Sequence, residues 1–557
     1  MQKRLISFFC IFLCALGAVA LRIVYLERGG EAAGAAVIQS SRTISVAQSR
    51  AGIYDRNGRP LVNRSFEWKA LVFPEEADLS VLKDYVNDES FIETAKDGLP
   101  VVVDTGGKII EGPGVYNFKT PRRYSENQLA AHIIGYINDG AGASGIEKAY
   151  DGLLASEGPK STVTYYTDGR GRLLYGEKTA FSTDGAERKS GVMLTLSTEI
   201  QKAAEAALKD SLEKGAAVVM DAQTGEILAA ASVPCFDPGN VAVSLGAKDS
   251  PFVNRAFSAY TVGSTWKLVV AAAALENGET PARKYDCKSS ITVEGVEFHC
   301  HWEFGHGKID MPAALRVSCN PYFIDLGLSV GADKILEMAE NLGFGASAEL
   351  APGLFSAAGN LPGSSELSSK AALASFSFGQ GKLLATPVQI AALAAAVANG
   401  GFSVTPKLVL GTTDENGKLS AAPIYEKNRV MSEAAAKKLR EMMISVVEEG
   451  SGANAKPNRG GAGGKTASAQ TGQYDKDGNE IVHAWFAGFY PAEEPKYAIA
   501  VFAEGMNSGS DFAAPVFKKI CDGIDGTKNA EAKYIVINLL NCNNHLLKSK
   551  KCAIIIL

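Results

Sequence analysis

The sequence predicts an α+β chain, and three observations carry the prediction. An apolar run opens the chain, a strand-rich mixed segment follows, and residues 191–525 then run as strands, a long helical block and a last set of antiparallel strands. The 557 residues are 46% hydrophobic, 21% charged and 8% aromatic, close to the globular average, which excludes a disordered, collagen-like or polytopic membrane protein. At roughly 150 residues per domain this length predicts two to four domains. Sixty-one acidic and 56 basic side chains leave a net charge of −5, so no concentrated basic face for nucleic acid is expected. Nine cysteines are too few for a disulfide scaffold.

In chain order, Lys3 and Arg4 precede the uncharged run from Leu5 to Leu21, and Arg22 can snorkel while Ile23–Leu26 extend the apolar character. Residues 1–4 are therefore expected in the cytoplasm, 5–26 as a single-pass membrane anchor, and the rest outside the cell membrane. Ala18-Val19-Ala20 has the form of a signal-peptidase site, but the apolar run exceeds the core of a signal peptide and favours an uncleaved anchor. Residues 41–155 read as a strand-rich domain punctuated by turns such as Arg56-Asn57-Gly58, and 156–190 as an extended connecting segment. From Gly191 a short strand leads to Thr198-Glu199-Ile200-Gln201, a capping-box pattern that starts a helix closed by Gly215. Two strands, an Ala-rich helical middle, three further strands from Gly463 and a closing helix complete the α+β domain. The tail 526–557 follows no helical period and is expected to be poorly ordered.

Chemistry enters at Gly263-Ser264-Thr265-Trp266-Lys267, which opens an Ala-rich helix. Ser264 then sits in the positive field of the first free N–H groups, where an oxyanion is favoured. Lys267 shares its helix face, so the amine is expected to reach the Ser264 hydroxyl. Lysine is a base only once deprotonated, which burial, a helix N-terminus and a second cation all promote. Ser-x-x-Lys also occurs at Ser80/Lys83 and Ser211/Lys214, in polar segments that read as solvated faces. What distinguishes Ser264 is the order of the motifs behind it. Ser318-Cys319-Asn320 offers a hydroxyl that can relay a proton and an amide that can bind a substrate amide, although Ser125-Glu126-Asn127 repeats the pattern. Lys465-Thr466-Ala467 begins a strand whose lysine can hold a carboxylate and whose edge can pair with an extended peptide. The trio in this order is far more specific than any one motif.

On these residues the sequence resembles a class B, monofunctional penicillin-binding protein, a peptidoglycan D,D-transpeptidase. The resemblance runs from the anchor to about residue 525 and includes Arg50–Gly58, Arg123-Tyr124, His132–Tyr136, Gly142–Glu147, Gly379-Gln380-Gly381, Thr386–Gln389 and Trp485–Pro491. It implies a penicillin-binding/β-lactamase-like domain at 191–525, an antiparallel sheet flanked by helices, on an elongated pedestal (dimerisation-like) domain at 41–155. It also implies the roles. Lys267 deprotonates Ser264, which attacks the penultimate D-Ala carbonyl of a stem peptide. The N–H groups of Ser264 and Ser468 form the oxyanion hole, Asn320 binds substrate amide, Ser318 passes a proton to the leaving D-Ala, and Lys465 with Thr466 holds its carboxylate. A neighbouring stem's amine completes the cross-link, and β-lactams acylate the same serine. No cofactor is implied, and the implied partner is a polytopic glycan polymerase in the membrane. No sequence ahead of the anchor or between anchor and pedestal is expected to hold a glycosyltransferase domain, which argues against a bifunctional class A enzyme. Ala467 departs from the family's glycine, and its methyl is expected to narrow the approach to substrate. A non-catalytic sensor or scaffold of the same fold, and a D,D-carboxypeptidase, are the alternatives.

Other clusters compete for attention. Gly460–Thr466 resembles a P-loop, but Arg459 stands where the pattern needs glycine. Cys287, His299, Cys300, His301 and His306 surround a predicted hairpin at Glu294-Gly295 that is expected to bring Cys287 and Cys300 to the ends of one ladder. A Cys287–Cys300 disulfide is the first reading, free thiols the second and a zinc site the third, so no metal is expected. His132 and His483 read as structural.

Overall fold

Residues 2–28, 40–78, 99–106, 108–168, 172–174, 179–185, 187–421 and 424–526 are described by the structure, a computed structural model. The tail expectation therefore lies, beyond Gly526, outside the described residues, as do Ser80 and Lys83. The apolar N-terminal run forms one helix, α1 (Gln2–Arg28), whose Lys3–Leu26 portion is long and apolar enough to cross a membrane.

Two compact units make up the chain, and the division is interleaved. One unit comprises 1–51, 63–123 and 156–188. It holds two three-stranded antiparallel sheets, Ser41–Gln48 with Lys160–Tyr166 and Ala180–Asp184, and Ser65–Val72 between Val101–Asp104 and Val115–Arg122. Val46, Leu71, Phe73, Phe118, Val163 and Tyr165 form a core between them. The segment 156–190, expected as a linker, thus supplies two paired strands. Its Ser161, Val163 and Tyr165 alternate inward, a period of two that its polar composition masks. Residues 52–62 and 124–155 fall in the other unit rather than in one continuous 41–155 domain. The reason is local pairing: Gly52–Tyr54 lies parallel to Gly191–Leu194, and buried Asp55 accepts bonds from Asn57 N, Arg59 N and Thr198 Oγ1 at 2.9, 2.9 and 2.6 Å.

The second unit is built on five antiparallel strands, β1 (Gly215–Asp221), β2 (Ile227–Val233), β3 (Gly463–Tyr474), β4 (Glu480–Tyr490) and β5 (Tyr497–Ala503), in the order β2-β1-β5-β4-β3. Both faces are buried, so the central strands read as continuous apolar runs rather than alternating ones. On one face α2 (Thr198–Lys209), capped by Ser197, and the closing helix pack Ala204, Leu208, Phe517 and Ile520 against Val219, Phe486 and Val501. On the other lie α3 (Lys267–Glu276), α4 (Asn320–Val330) and α5 (Pro387–Ala398), of which α5 packs on β1, β4 and β5. All twelve residues of α5 are buried, and its many alanines let the backbone approach the sheet closely.

Helix α5 starts with a capping box in which Thr386 and Gln389 satisfy each other's backbone N–H. Gln389 Nε2 also donates to the carbonyls of Gly343, Ala346 and Ala358 at 3.1, 3.1 and 3.0 Å. Gln389→Leu would leave the Thr386 N–H and these carbonyls without that partner. It is expected to destabilise the protein by about 3 kcal/mol, read as a lower thermal midpoint; an unchanged midpoint would show that the carbonyls find other donors.

Candidate active site

The three motifs converge in the second unit. Ser264 lies in a 3-10 turn, Gly263–Trp266, that runs directly into α3. Gly263 takes φ +62°, and a Cβ there would sit 3.0 Å from the Ala469 Cβ and 3.2 Å from the Ser468 carbonyl oxygen. The turn is therefore pressed against β3 at Ser468, which sets the backbone around Ser264 and Ser468 side by side. Gly379 closes the other side: its carbonyl accepts from Gly263 N at 2.9 Å, and at φ +88° a Cβ would come within 1.9 Å of the Gly263 oxygen. Only glycine fits there. Ser264 itself is half-buried.

Lys267 is completely buried, its ammonium nitrogen 5.6 Å from the Phe323 ring centroid. Nζ donates to Ser318 O at 2.7 Å, Asn320 Oδ1 at 2.7 Å and Ser318 Oγ at 3.2 Å. The direct hydrogen bond to Ser264 expected from spacing is not formed: three acceptors on the 318–320 turn engage the ammonium instead. Burial pushes Lys267 down to about 7 from an ordinary 10.5, with the Cys319 and Cys300 thiols opposing the shift.

The 318–320 turn has a defined local cause. The helix Met311–Arg316 ends with Cys319 N bonded to Ala314 O at 2.9 Å and Ser318 in the left-handed region at φ +58°. That is a Schellman ending with serine at the position where glycine is preferred. A non-glycine residue held there is strained, by roughly 1 kcal/mol or more, and the strain aims Ser318 Oγ between two lysines. Cys319 is then the N-cap residue of α4, and Asn320 Nδ2 donates to His299 O at 3.1 Å. Both ends of the Asn320 amide are thus occupied, one by Lys267 and one by His299.

Lys465 is the second fully buried lysine. From edge strand β3 its Nζ donates to Ser318 Oγ at 2.9 Å and to Thr466 O at 2.8 Å. Burial, and then the neighbouring Lys267 charge, hold it well below the ordinary lysine range. Its ammonium is turned inward to Ser318 rather than outward as a ready carboxylate ligand. Thr466 shares a 2.9 Å hydroxyl contact with Ser451, and Ser468 is exposed on the edge, accepting from Gly509 N at 3.3 Å. The Ala467 methyl, expected to narrow the approach, is packed inside with 2% exposure. Two buried amines therefore share one hydroxyl, next to a serine at a helical tip and a strand edge with free backbone groups. The arrangement is suited to nucleophilic attack, proton relay and oxyanion binding.

Elsewhere the alternatives fall away. Residues 463–474 continue as strand with no following helix, so the P-loop pattern has no P-loop structure. His132 Nε2 lies 2.7 Å from Pro251 O, and His483 Nδ1 accepts from Gly505 N, as structural histidines. Cys287 and Cys300 are free thiols and form no disulfide. The hairpin turns at Glu294-Gly295 as expected, but its ladder ends at Ser290–His299. Cys287 belongs to a different pair, opposite Gly307, so the ladder never sets it across from Cys300. Cys319, given no role from sequence, joins these thiols. The signal was its place inside a motif already flanked by cysteines and histidines.

The penicillin-binding protein transpeptidase domain family matches residues 215–522, and the penicillin-binding protein A dimerisation domain family matches 111–172. The chain is 29% identical over 530 residues to stage V sporulation protein D of Bacillus subtilis, covering 86% of this chain and 78% of that one. It is 30% identical over 435 residues to the peptidoglycan D,D-transpeptidase PbpA of Mycobacterium tuberculosis, covering 73% and 84%. A crystal structure of penicillin-binding protein 3 from Mycobacterium tuberculosis, complexed with aztreonam, superposes with TM-score 0.63 at 26% identity, over 88% of this chain and 97% of that one.

Proposed function

This chain belongs to the penicillin-binding protein transpeptidase family, in its class B branch, and from that premise we propose that it cross-links peptidoglycan stem peptides through an acyl-enzyme at Ser264. The observation that carries the reading is the shared hydroxyl of Ser318, bonded to both buried lysines beside the Ser264 turn. Once Lys267 has given up its proton, it can turn from the 318–320 acceptors and take the proton of Ser264 as Oγ attacks the penultimate D-Ala carbonyl. The N–H groups of Ser264 and Ser468 receive the oxyanion. Ser318 carries the proton onward to the leaving D-Ala, and Lys465, once turned outward from Ser318 and Thr466 O, binds its carboxylate together with the Thr466 hydroxyl. Asn320 positions the substrate amide from the same turn, and the β3 edge pairs with the donor peptide. An amine from a second stem then releases the acyl group. β-Lactams acylate the same serine, a reading supported by the aztreonam complex of the related mycobacterial protein. Helix α1 anchors the chain with the catalytic unit outside the membrane, beside a polytopic glycan polymerase.

The test is turnover of a D-Ala-D-Ala thioester analogue with and without a D-amino acid acceptor. Transfer to the amine supports the transpeptidase. Release only to water would make it a D,D-carboxypeptidase, and acylation without turnover a sensor or scaffold.

A further inference from the structure

Helix α2 runs along the outer edge of strand β2, and the two keep step. Four residues of helix rise about 6 Å, and two residues of strand rise about 6.7 Å. Ser197 N, ahead of the helix, donates to Leu228 O at 2.8 Å. One turn on, the Gln201 amide takes both outward backbone groups of Ala230, accepting from its N–H at 2.8 Å and donating to its carbonyl at 3.1 Å. A further turn brings Glu205 level with Ser232, and there the pattern stops. Backbone groups of an edge strand turn outward at every second residue, so Ser232 presents its N–H and C=O on the same side as Ala230. Neither meets a partner among the described residues, although Ser232 is 6% exposed. The Ser232 hydroxyl is used elsewhere, donating to Val253 O at 3.2 Å and accepting from Arg255 N at 3.1 Å.

Glu205 does not fill the rung. Its Oε1 accepts from Ala130 N at 2.7 Å and from Gln201 Nε2 at 2.9 Å, while Oε2 makes no hydrogen bond or ion pair among the described residues. A cavity of about 510 Å³ lies at this point, lined by Glu205 and Ser232 with Ala131, Leu212, Cys235 and Phe236. Burial pushes the Glu205 carboxyl up, opposed by its two N–H bonds. Its charge reaches across the cavity, since burial and then Glu205 push the Cys235 thiol up to about 11. Glu213 and Asp237 add negative charge to the wall, and the opposing Lys209 is exposed and makes no ion pair among the described residues. A half-buried carboxylate without a cation, beside buried strand groups without partners, is costly to hold. Both costs are relieved by one ligand that carries an amide and a cation. The cavity belongs wholly to the second unit, at the sheet edge opposite the β3 strand of Lys465.

We propose that this cavity is a second peptide site, which binds a peptidoglycan stem peptide by its free side-chain amine. The backbone N–H and C=O of the amine-bearing residue pair with Ser232 as the Gln201 amide pairs with Ala230, and the ammonium rests against Glu205 Oε2. The apolar stem of that residue lies on Ala131, Leu212 and Phe236. Recognition of an amide and an ammonium follows from the cavity alone, whereas the choice of a stem peptide rests on the transpeptidase reading. A chain held here keeps its amine away from Ser264, so the site grips the wall polymer rather than feeding the acceptor.

The experiment is calorimetric titration of the full chain in detergent, with Ser264 first blocked by penicillin. Nα-acetyl-lysine N-methylamide is expected to bind saturably, and the norleucine analogue, which lacks the amine, to give no saturable heat. An N-acetylated stem tetrapeptide with a free side-chain amine is expected to bind more tightly than the lysine analogue, and acetylation of that amine to abolish binding. Glu205→Gln keeps an acceptor for Ala130 N but removes the charge, and should weaken the amine ligands by about tenfold or more. A diazirine-bearing tetrapeptide should cross-link to residues 230–237. If Glu205→Gln fails to fold, the lysine and norleucine analogues on the unaltered protein decide alone. Equal binding of the norleucine analogue, undiminished binding in Glu205→Gln, or no binding of any peptide would overturn the proposal. Binding of the lysine analogue but not of the tetrapeptide would overturn the stem-peptide assignment. Absent penicillin labelling with peptide binding intact would support the cavity site and overturn only the acyl-transfer reading.

Discussion

Ser264→Ala is expected to abolish covalent labelling by a fluorescent penicillin, with the fold intact. Acylation needs an oxygen at this position to form the ester, and no other hydroxyl stands at the start of α3 with the same surroundings. The Thr265 side chain is buried and donates to Val262 O at 3.1 Å, so it cannot substitute. Ser264 is only half-buried and its hydroxyl makes no hydrogen bond among the described residues, so its removal opens little cavity and should change stability by no more than about 0.5 kcal/mol. A cooperative melt near that of the unaltered protein, with no labelled band, is the expected pair of results. Labelling that persists in the variant would place the nucleophile elsewhere and end the assignment.

Lys267→Met is expected to slow acylation by about 10²–10⁴-fold, the usual contribution of a positioned general base. Methionine fills similar space but can neither take a proton nor donate to Ser318 O and Asn320 Oδ1. In the unaltered protein the acylation rate should climb as pH rises through about 7, where Lys267 becomes neutral, and then level off. The variant should lose that rise. The stability contribution has the same sign: between about 7 and 10.5 the unfolded chain holds this proton and the folded chain does not, so the group favours folding more as pH rises across that window and less as it falls. An acylation rate in the variant that still follows the same pH profile would move the base to another group, with Lys465 the next candidate.

Much of this was legible in residue order alone. The apolar opening run specifies a helix of spanning length because it carries almost no charge over that distance. Strands β1 to β5 and the Ala-rich helices follow from their apolar runs and from caps such as Ser197 and Thr386. Ser264, Ser318 and Lys465 were singled out by the order of their motifs, and the fold brings Lys465 and Ser318 within hydrogen-bond reach. The linker at 156–190 was misread because polar composition outweighed a two-residue alternation confined to one short strand.

Side-chain partnership was not legible. Spacing along a helix places Lys267 on the same face as Ser264, yet the ammonium turns to whichever acceptors surround it, and those belong to a turn 51 residues away. The inward aim of Lys465, the left-handed backbone of Ser318 and the buried methyl of Ala467 likewise arise from packing between distant segments. The cysteines show the same division. Sequence supplied the thiols, but only strand register decided that Cys287 meets His306 and that Cys319 joins them. Local periodicity is a property of neighbours in the chain, whereas a site is a property of neighbours in space.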